Sequence, residues 1–586
     1  GQRLSDAELI VKGALVVEGT EAAPVVFGSS EANARAGDWG GIRVEGGSLS
    51  LAYAHLSHSG YGISADGLSG SGFVMDHSVI TASGQGIYLG SASTRAIVLT
   101  NNVIEVSSGW AVKLYQEWWN TSSPVTEVTG NTVTSTNGNG VLLSGHFGGL
   151  NLVSNVVRST GTGIHIESVG GATTIASNDV VNVRDYPDGV GIYTYYRGDA
   201  TPNAAVLVEG NHVEGFSDGM SIYFEGGDSH SGDVGITANE FLGNRTGLSV
   251  KNAVSLTVTD NVVTNTGSNK GIYVSGSTVS MFSGNVVTSS NQGIYLDSST
   301  VLAFSGNEAT GNLTGVRLNN SGVAGFTGNV ISNNSSVGLY VAHSNAELSE
   351  SFLLEGNDLS GNGTGIELHN YANVVVTGND LSGSSQYGIA NYTSNEIDAR
   401  YNYWGESETT FLSEGGHPKG LGFIYDGRDE GSYGNVNYAQ WLLVSPVSDD
   451  DQDGIKNDVD NCPLIANEGQ EDLDGDGIGD ACDSDNDNDG IENEVDTYPF
   501  ISIGALLDTD GDGAPDSCDA DCQVTGMAAD DDDDGDGIVD SEDAFPLDPT
   551  EWADSDGDGI GDNADFFTVS VTNSFPNPLA IDVALR

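Results

Sequence analysis

Positive charge is what this chain most lacks: 18 Lys and Arg stand against 83 Asp and Glu in 586 residues, a formal charge of −65. Long apolar runs are missing too. None approaches the roughly 18 residues a membrane-crossing helix requires, so no transmembrane segment is expected. No signal peptide is visible and residue 1 is Gly rather than Met, so the chain reads as processed or cut from something longer. Cysteine is scarce. The four present, Cys462, Cys482, Cys518 and Cys522, have no His or Cys company at metal-site spacing. In a loop-rich region without a core, an even count reads as disulfides and so as an oxidising compartment. Helical periodicity is also absent, while Gly reaches 82, a composition of turns and strands.

The shortage of bases is uneven. Between Pro446 and Asp565 there are 41 Asp and Glu and one base, Lys456, so this stretch holds −40 of the total. Such a segment repels nucleic acid and anionic lipid, and it needs cations to become compact.

Residues 1–445 repeat one phrase: Asn, an apolar pair, a short turn, then Gly-Ile-x-Leu. It reads GNVVTSSNQGIYL at 284–296, GNEATGNLTGVRL at 306–318 and GNDLSGNGTGIEL at 356–368. The anchoring Asn residues are read as Asn101, Asn131, Asn155, Asn178, Asn211, Asn239, Asn261, Asn285, Asn307, Asn329, Asn357, Asn379 and Asn402, with His55 and His77 in the same place earlier. Their shortest spacings are 22–24 residues. Short apolar strands at that period, without helical patterning, predict a β-solenoid. Ile294 and Leu296 should face in and Tyr295 out. An Asn at one place in each coil can bond to the Asn above it as a ladder.

These repeats resemble the right-handed parallel β-helix of the pectate-lyase type, and GDWGGIRV at 37–44 resembles an early coil of secreted bacterial members. IDARYNYWG at 397–405 and GNVNYAQWLLVSP at 434–446 resemble the ending of bacterial β-helix proteins, which makes Trp404 and Trp441 parts of a C-terminal cap. The fold class expected is therefore all-β: a right-handed parallel β-helix solenoid over 1–445, followed by a loop-rich calcium-stabilised region over 446–565. Residues 566–586 read as the start of a further strand-bearing unit or an anchoring segment.

Six acidic loops share the grammar D-x-D-x-D-G, with Asp or Asn at position 9 and Asp at position 12. They are Asp449, Asp451, Asp453, Asn457, Asp460; Asp472, Asp474, Asp476, Asp480, Asp483; and Asp485, Asp487, Asp489, Asn493, Asp496. Then follow Asp508, Asp510, Asp512, Asp516, Asp519; Asp532, Asp534, Asp536, Asp540, Asp543; and Asp554, Asp556, Asp558, Asp562, Asp565. Carboxylates at 1, 3 and 5 wrap a hard cation such as calcium, Gly at 6 permits the turn and position 12 closes the shell. Loops two and three start 13 residues apart, too close for EF-hand helices. DNCPLIANEGQEDLDGDGIGDACD at 460–483 instead resembles thrombospondin type 3 repeats, and that resemblance implies a Cys462–Cys482 disulfide and several calcium ions. Cys518 and Cys522 depart from the family spacing.

Neither the Asp cluster with a basic partner of the lyases nor the paired Asp of related hydrolases stands out. Strand alternation predicts one outward column: Tyr88, Lys113, Leu142, His165, Tyr193, Ser221, Ser249, Tyr273, Tyr295, Arg317, Tyr340 and Glu367. Beside it, Trp118, Trp119, Tyr193, Tyr195, Tyr196, Arg197 and Tyr223 form a candidate ligand groove, aromatic faces beside hydrogen-bonding groups being what a sugar chain stacks on. The leading reading is an extracellular or bacterial cell-surface adhesion protein, non-catalytic, whose partner is a polysaccharide or another cell-surface protein. The alternative is a secreted polysaccharide lyase, hydrolase or epimerase using the same groove.

Overall fold

The computed structural model describes residues 7–565 except 91–94, 116–123, 146–147, 168, 185–186, 197–203, 226–231, 266–268, 345–351, 414–418, 444, 448–450, 452, 454, 456–458, 463–464 and 556. Two compact units result, residues 1–447 and 448–586. The predicted tail, 566–586, lies outside the described residues.

The first unit is a parallel β-solenoid. In one coil, Thr278–Ser283, Val286–Thr288 and Gln292–Asp297 contribute a strand each to three sheets. Each strand pairs in parallel with its counterpart one coil on; Tyr273 sits beside Tyr295, and Tyr295 beside Arg317. Among the described residues the first sheet, that of Gln292–Asp297, stacks 17 strands and the third, that of Val286–Thr288, stacks 12, the latter continuing as single bridges from Glu308 through Val330, Asp358 and Asp380 to Tyr403.

Strand alternation fills the interior. Ile294 and Leu296 are fully buried while Tyr295 faces out. Phe282, Phe304 and Phe326 stack inside with centroids 5.0 and 4.6 Å apart. Gly293 opens the Gly-Ile-x-Leu strand because a Cβ there would lie 2.5 Å from the Gly315 carbonyl.

The Asn ladder exists, shifted at its start. The rung expected at Asn101 is Asn102, which is buried, whereas Asn101 takes φ +55° in the turn before it. Likewise Ser78, not His77, bonds to the next rung, and its hydroxyl accepts from Ala54 N–H, so His55 is not a rung either. From Asn102 the ladder runs unbroken to Asn402. At one rung, Asn261 donates both its backbone N–H (3.2 Å) and Nδ2 (3.0 Å) to Asn285 Oδ1. Asn285 Nδ2 in turn donates to Val258 O and Asn307 Oδ1, both at 2.9 Å. The turns thus satisfy buried backbone groups that no strand partner reaches. A second ladder, Asn312, Asn334 and Asn362, lines another corner.

Trp404 is fully buried against Phe423 and Trp441 packs partly buried on the same core, closing the last coil with the strands Ile424–Tyr425 and Val436–Asn437. Among the described residues the only helices are Glu406–Ser413 and Ala520–Thr525, and none is long and apolar enough to cross a membrane. The second unit is built of turns and carries two disulfides, Cys462–Cys482 and Cys518–Cys522.

Candidate metal centres

Each acidic loop is shaped by its own carboxylates. In the second, Asp472 accepts from Gly475 N–H (2.8 Å) and Gly477 N–H (3.2 Å), Asp474 from Asp476 N–H (3.0 Å), and Asp476 from Ile478 N–H (2.8 Å). Gly477 holds φ +95°, which a side-chain-bearing residue adopts only under strain. The fourth and sixth loops repeat the pattern through Asp508 and Asp554. Position 9 closes the five loops in which it is described: Asp480, Asn493, Asp516, Asp540 and Asp562 each accept from the backbone N–H of position 2.

This folding turns other oxygens toward one another. Asp451, Asp453 and Asp460; Asp472, Asp474 and Asp476; Asp485, Asp487 and Asp489; Asp508, Asp510 and Asp512; and Asp532, Asp534 and Asp536 each bring three carboxylate oxygens within 4.8 Å. Asp449, Asn457 and Asp556 lie outside the described residues. Asp480, Asp516 and Asp540 at position 9 are absent from these groups and accept from the loop's own backbone instead. Position 12 divides its bonding: Asp496 and Asp543 each give one oxygen to the N–H two residues on and leave the other buried without a partner. Asp483 accepts from Asp485 N–H, and Asp519 caps the helix Ala520–Thr525. Position 3 shows the same orphaned oxygen at Asp474, Asp487 and Asp534.

Like charges gathered in this way are costly without a cation. Burial first, then repulsion from neighbouring carboxylates, raises Asp487, Asp496, Asp510 and Asp534 above the usual carboxylate range. Burial, with Asp540 and Asp516 nearby, pushes Asp533 up to about 6.

On the solenoid, Trp118, Trp119 and Arg197 lie outside the described residues. Tyr193 faces out and meets the His165 ring edge-on at 4.8 Å; Tyr195 and Tyr223 stack at 5.6 Å, also outward. Tyr196 does not belong to this groove. Strand Val190–Tyr196 keeps its alternation to the end, so Tyr196 points inward with Ile192 and Thr194, 95 % buried and stacked on Phe224 at 4.9 Å. Burial raises its hydroxyl pKa. The outward column from Tyr88 to Glu367 is in register throughout. Two flanking columns on the same strands escaped the sequence reading; one, three residues before the outward column, carries Lys270, and the other, two residues after it, carries Lys251, Asp297, His369 and Tyr392.

Residues 40–203 match the family model for the right-handed beta helix region, 182–349 that for the periplasmic copper-binding protein NosD, and 448–470 and 471–503 that for the thrombospondin type 3 repeat. No curated protein matches the chain. Coils and loops together make this chain a right-handed parallel β-helix followed by thrombospondin type 3 repeats.

Proposed function

We propose that this is a calcium-loaded surface protein of the extracellular space, non-catalytic, whose β-helix displays a carbohydrate-binding face while the acidic loops serve as a spacer. The observation that carries the calcium reading is the set of buried, unpartnered oxygens on Asp474, Asp487 and Asp534 at position 3 and Asp496 and Asp543 at position 12. An all-carboxylate donor set of this kind suits a hard cation. Copper favours imidazole and thiolate. The cysteines are tied in disulfides and the described groups of three donors in these loops consist of Asp alone, which suits calcium rather than copper; the NosD match lies on the solenoid and does not reach them. Disulfides and two families described from outside the cytoplasm support the location.

Binding and loop folding are then one equilibrium, and stability rises with free calcium. The test is small-angle scattering and limited proteolysis in calcium and in EGTA. Residues 446–565 are expected to expand and become cleavable in EGTA, while the solenoid, which has its own core, stays resistant. Identical behaviour in both buffers would end the calcium reading. Asp474→Ala with Asp476→Ala should remove about one site by calorimetry and leave solenoid melting unchanged.

A further inference from the structure

Bases are few in this chain, and six of the fourteen described ones are spent on acids: Lys12, Arg43, Arg158, Arg184, Arg400 and Arg428 all sit in ion pairs. Three that are not lie together on the outer face of the first sheet. Lys270 Nζ stands 3.5 Å from the centroid of Tyr273 and 4.7 Å from that of Tyr295. Arg317 Cζ stands 4.1 Å from the Tyr340 centroid and 5.6 Å from that of Tyr295, and Lys251 Nζ is 5.8 Å from that of Tyr273. The nearby carboxylate, Asp297, takes its hydrogen bonds from Asn319 (2.8 Å) and the Tyr273 hydroxyl (3.5 Å). Ring faces attract these cations without forming an ion pair, and Arg317 also donates to the Tyr295 hydroxyl. Burial lowers the Lys270 pKa; Asp297 opposes this, and repulsion from Lys251 and Arg317 adds to it, so the like charges feel one another.

The five residues in register from Lys251's strand to Tyr340's span four strand spacings, about 19 Å along the stack. A shallow groove of about 640 Å³ runs beside the same coils, lined by Asn265, Ser289, Asn291, Asn333 and Ser335. Asn291 immediately precedes Gln292, the neighbour of Lys270 in the flanking column. Cations and flat rings thus share the outer face of the first sheet over five coils, and a groove of amides, hydroxyls and Leu313 lies beside the same coils.

We infer that this strip, Lys251, Lys270, Tyr273, Tyr295, Arg317 and Tyr340, is the binding platform for a linear acidic polysaccharide laid along the coils, its carboxylates on the three bases and its sugar rings on the tyrosines. The inference rests on the carbohydrate-binding reading above and extends the site from Tyr223, whose in-register neighbour is Lys251, over the next five coils. Charge complementarity selects an acidic glycan over a neutral one. Nucleic acid fits less well: its affinity is carried by many phosphate contacts, and three bases supply few. Tyr273 and Tyr295, with centroids 5.2 Å apart and tilted 44°, leave no slot for a base between them.

The experiment measures binding of the full chain, in calcium and 150 mM salt, to immobilised hyaluronan, chondroitin sulfate and xanthan, with neutral dextran, poly-L-glutamate and a single-stranded oligonucleotide alongside. At least one acidic glycan should bind ten-fold or more tightly than dextran, poly-L-glutamate or the oligonucleotide. Lys270→Gln with Arg317→Gln should weaken that binding at least ten-fold, and Lys12→Gln should not change it. Equal melting curves for the variants establish that they are folded. No acidic glycan bound, equal binding of poly-L-glutamate or oligonucleotide, or indifference to the double substitution would each overturn the platform. Binding that survives the double substitution and vanishes in EGTA would put the glycan on the calcium loops, sinking the strip while leaving the calcium reading intact.

Discussion

A single ladder residue carries more than its own bonds. Asn285→Ala strands the Asn261 N–H and the Val258 carbonyl in the interior. The expected cost is about 2–4 kcal/mol, read as a lower urea midpoint for the solenoid with calcium-loop melting unchanged. His212 offers a pH test on the third sheet. Burial works against its charge, but bonds to Glu240 (2.7 Å) and Glu214 (3.5 Å) prevail and raise its pKa. The sign follows: a raised folded pKa gives stability that is full below the unfolded value, about 6.5, and is lost as pH rises through the folded value. His212→Gln should therefore lower the solenoid's melting temperature most near about pH 5.5 and converge with the parent at alkaline pH. An equal deficit at both would exclude the ionised ring as the cause. Most ladder positions were legible because Asn recurs at one place in each coil. The first were not: Asn101 and Asn102 are adjacent and chemically alike, and only the left-handed turn at Asn101 decides which one faces in.

At the level of the element, the stacked phenylalanines join neighbouring coils. Phe304 touches both Phe282 and Phe326, so Phe304→Ala opens a cavity shared by three coils. About 3–5 kcal/mol should be lost, and Phe304→Leu should lose clearly less, as measured by denaturant unfolding. Strands and the outward column could be read in advance because a period of two, once anchored at Ile294, fixes every neighbour on the strand. Tyr196 was misplaced because the sequence does not show how far the strand continues, and the alternation that carries on to the end of Val190–Tyr196 turns it inward. In the acidic loops the spacing located the carboxylates, but it could not show that position 9 faces the loop's own backbone, since Asp serves as ligand or as brace with the same side chain.

For the molecule as a whole, acid acts in opposite directions with and without metal. In the metal-free state carboxylates such as Asp533, raised to about 6, favour their protonated form when folded, so the loops should contract as pH falls through that value. With calcium bound the ligands must be ionised, so the same acidification should release metal and loosen them. Scattering across pH 7 to 4, with and without calcium, should give radii that move in opposite directions. The Cys462–Cys482 bond sets a limit on what either change can do under load. It brackets nearly all of the second loop, with Cα atoms 5.6 Å apart across a sequence separation of 20. Pulled from its ends, the acidic segment can extend through the loops outside this bracket as calcium leaves, while the bracketed residues never feel the force. Reductant would then release about 60 Å of hidden chain in one step, so that on the calcium reading oxidation state would fix how far this segment can stretch and calcium how readily it does so.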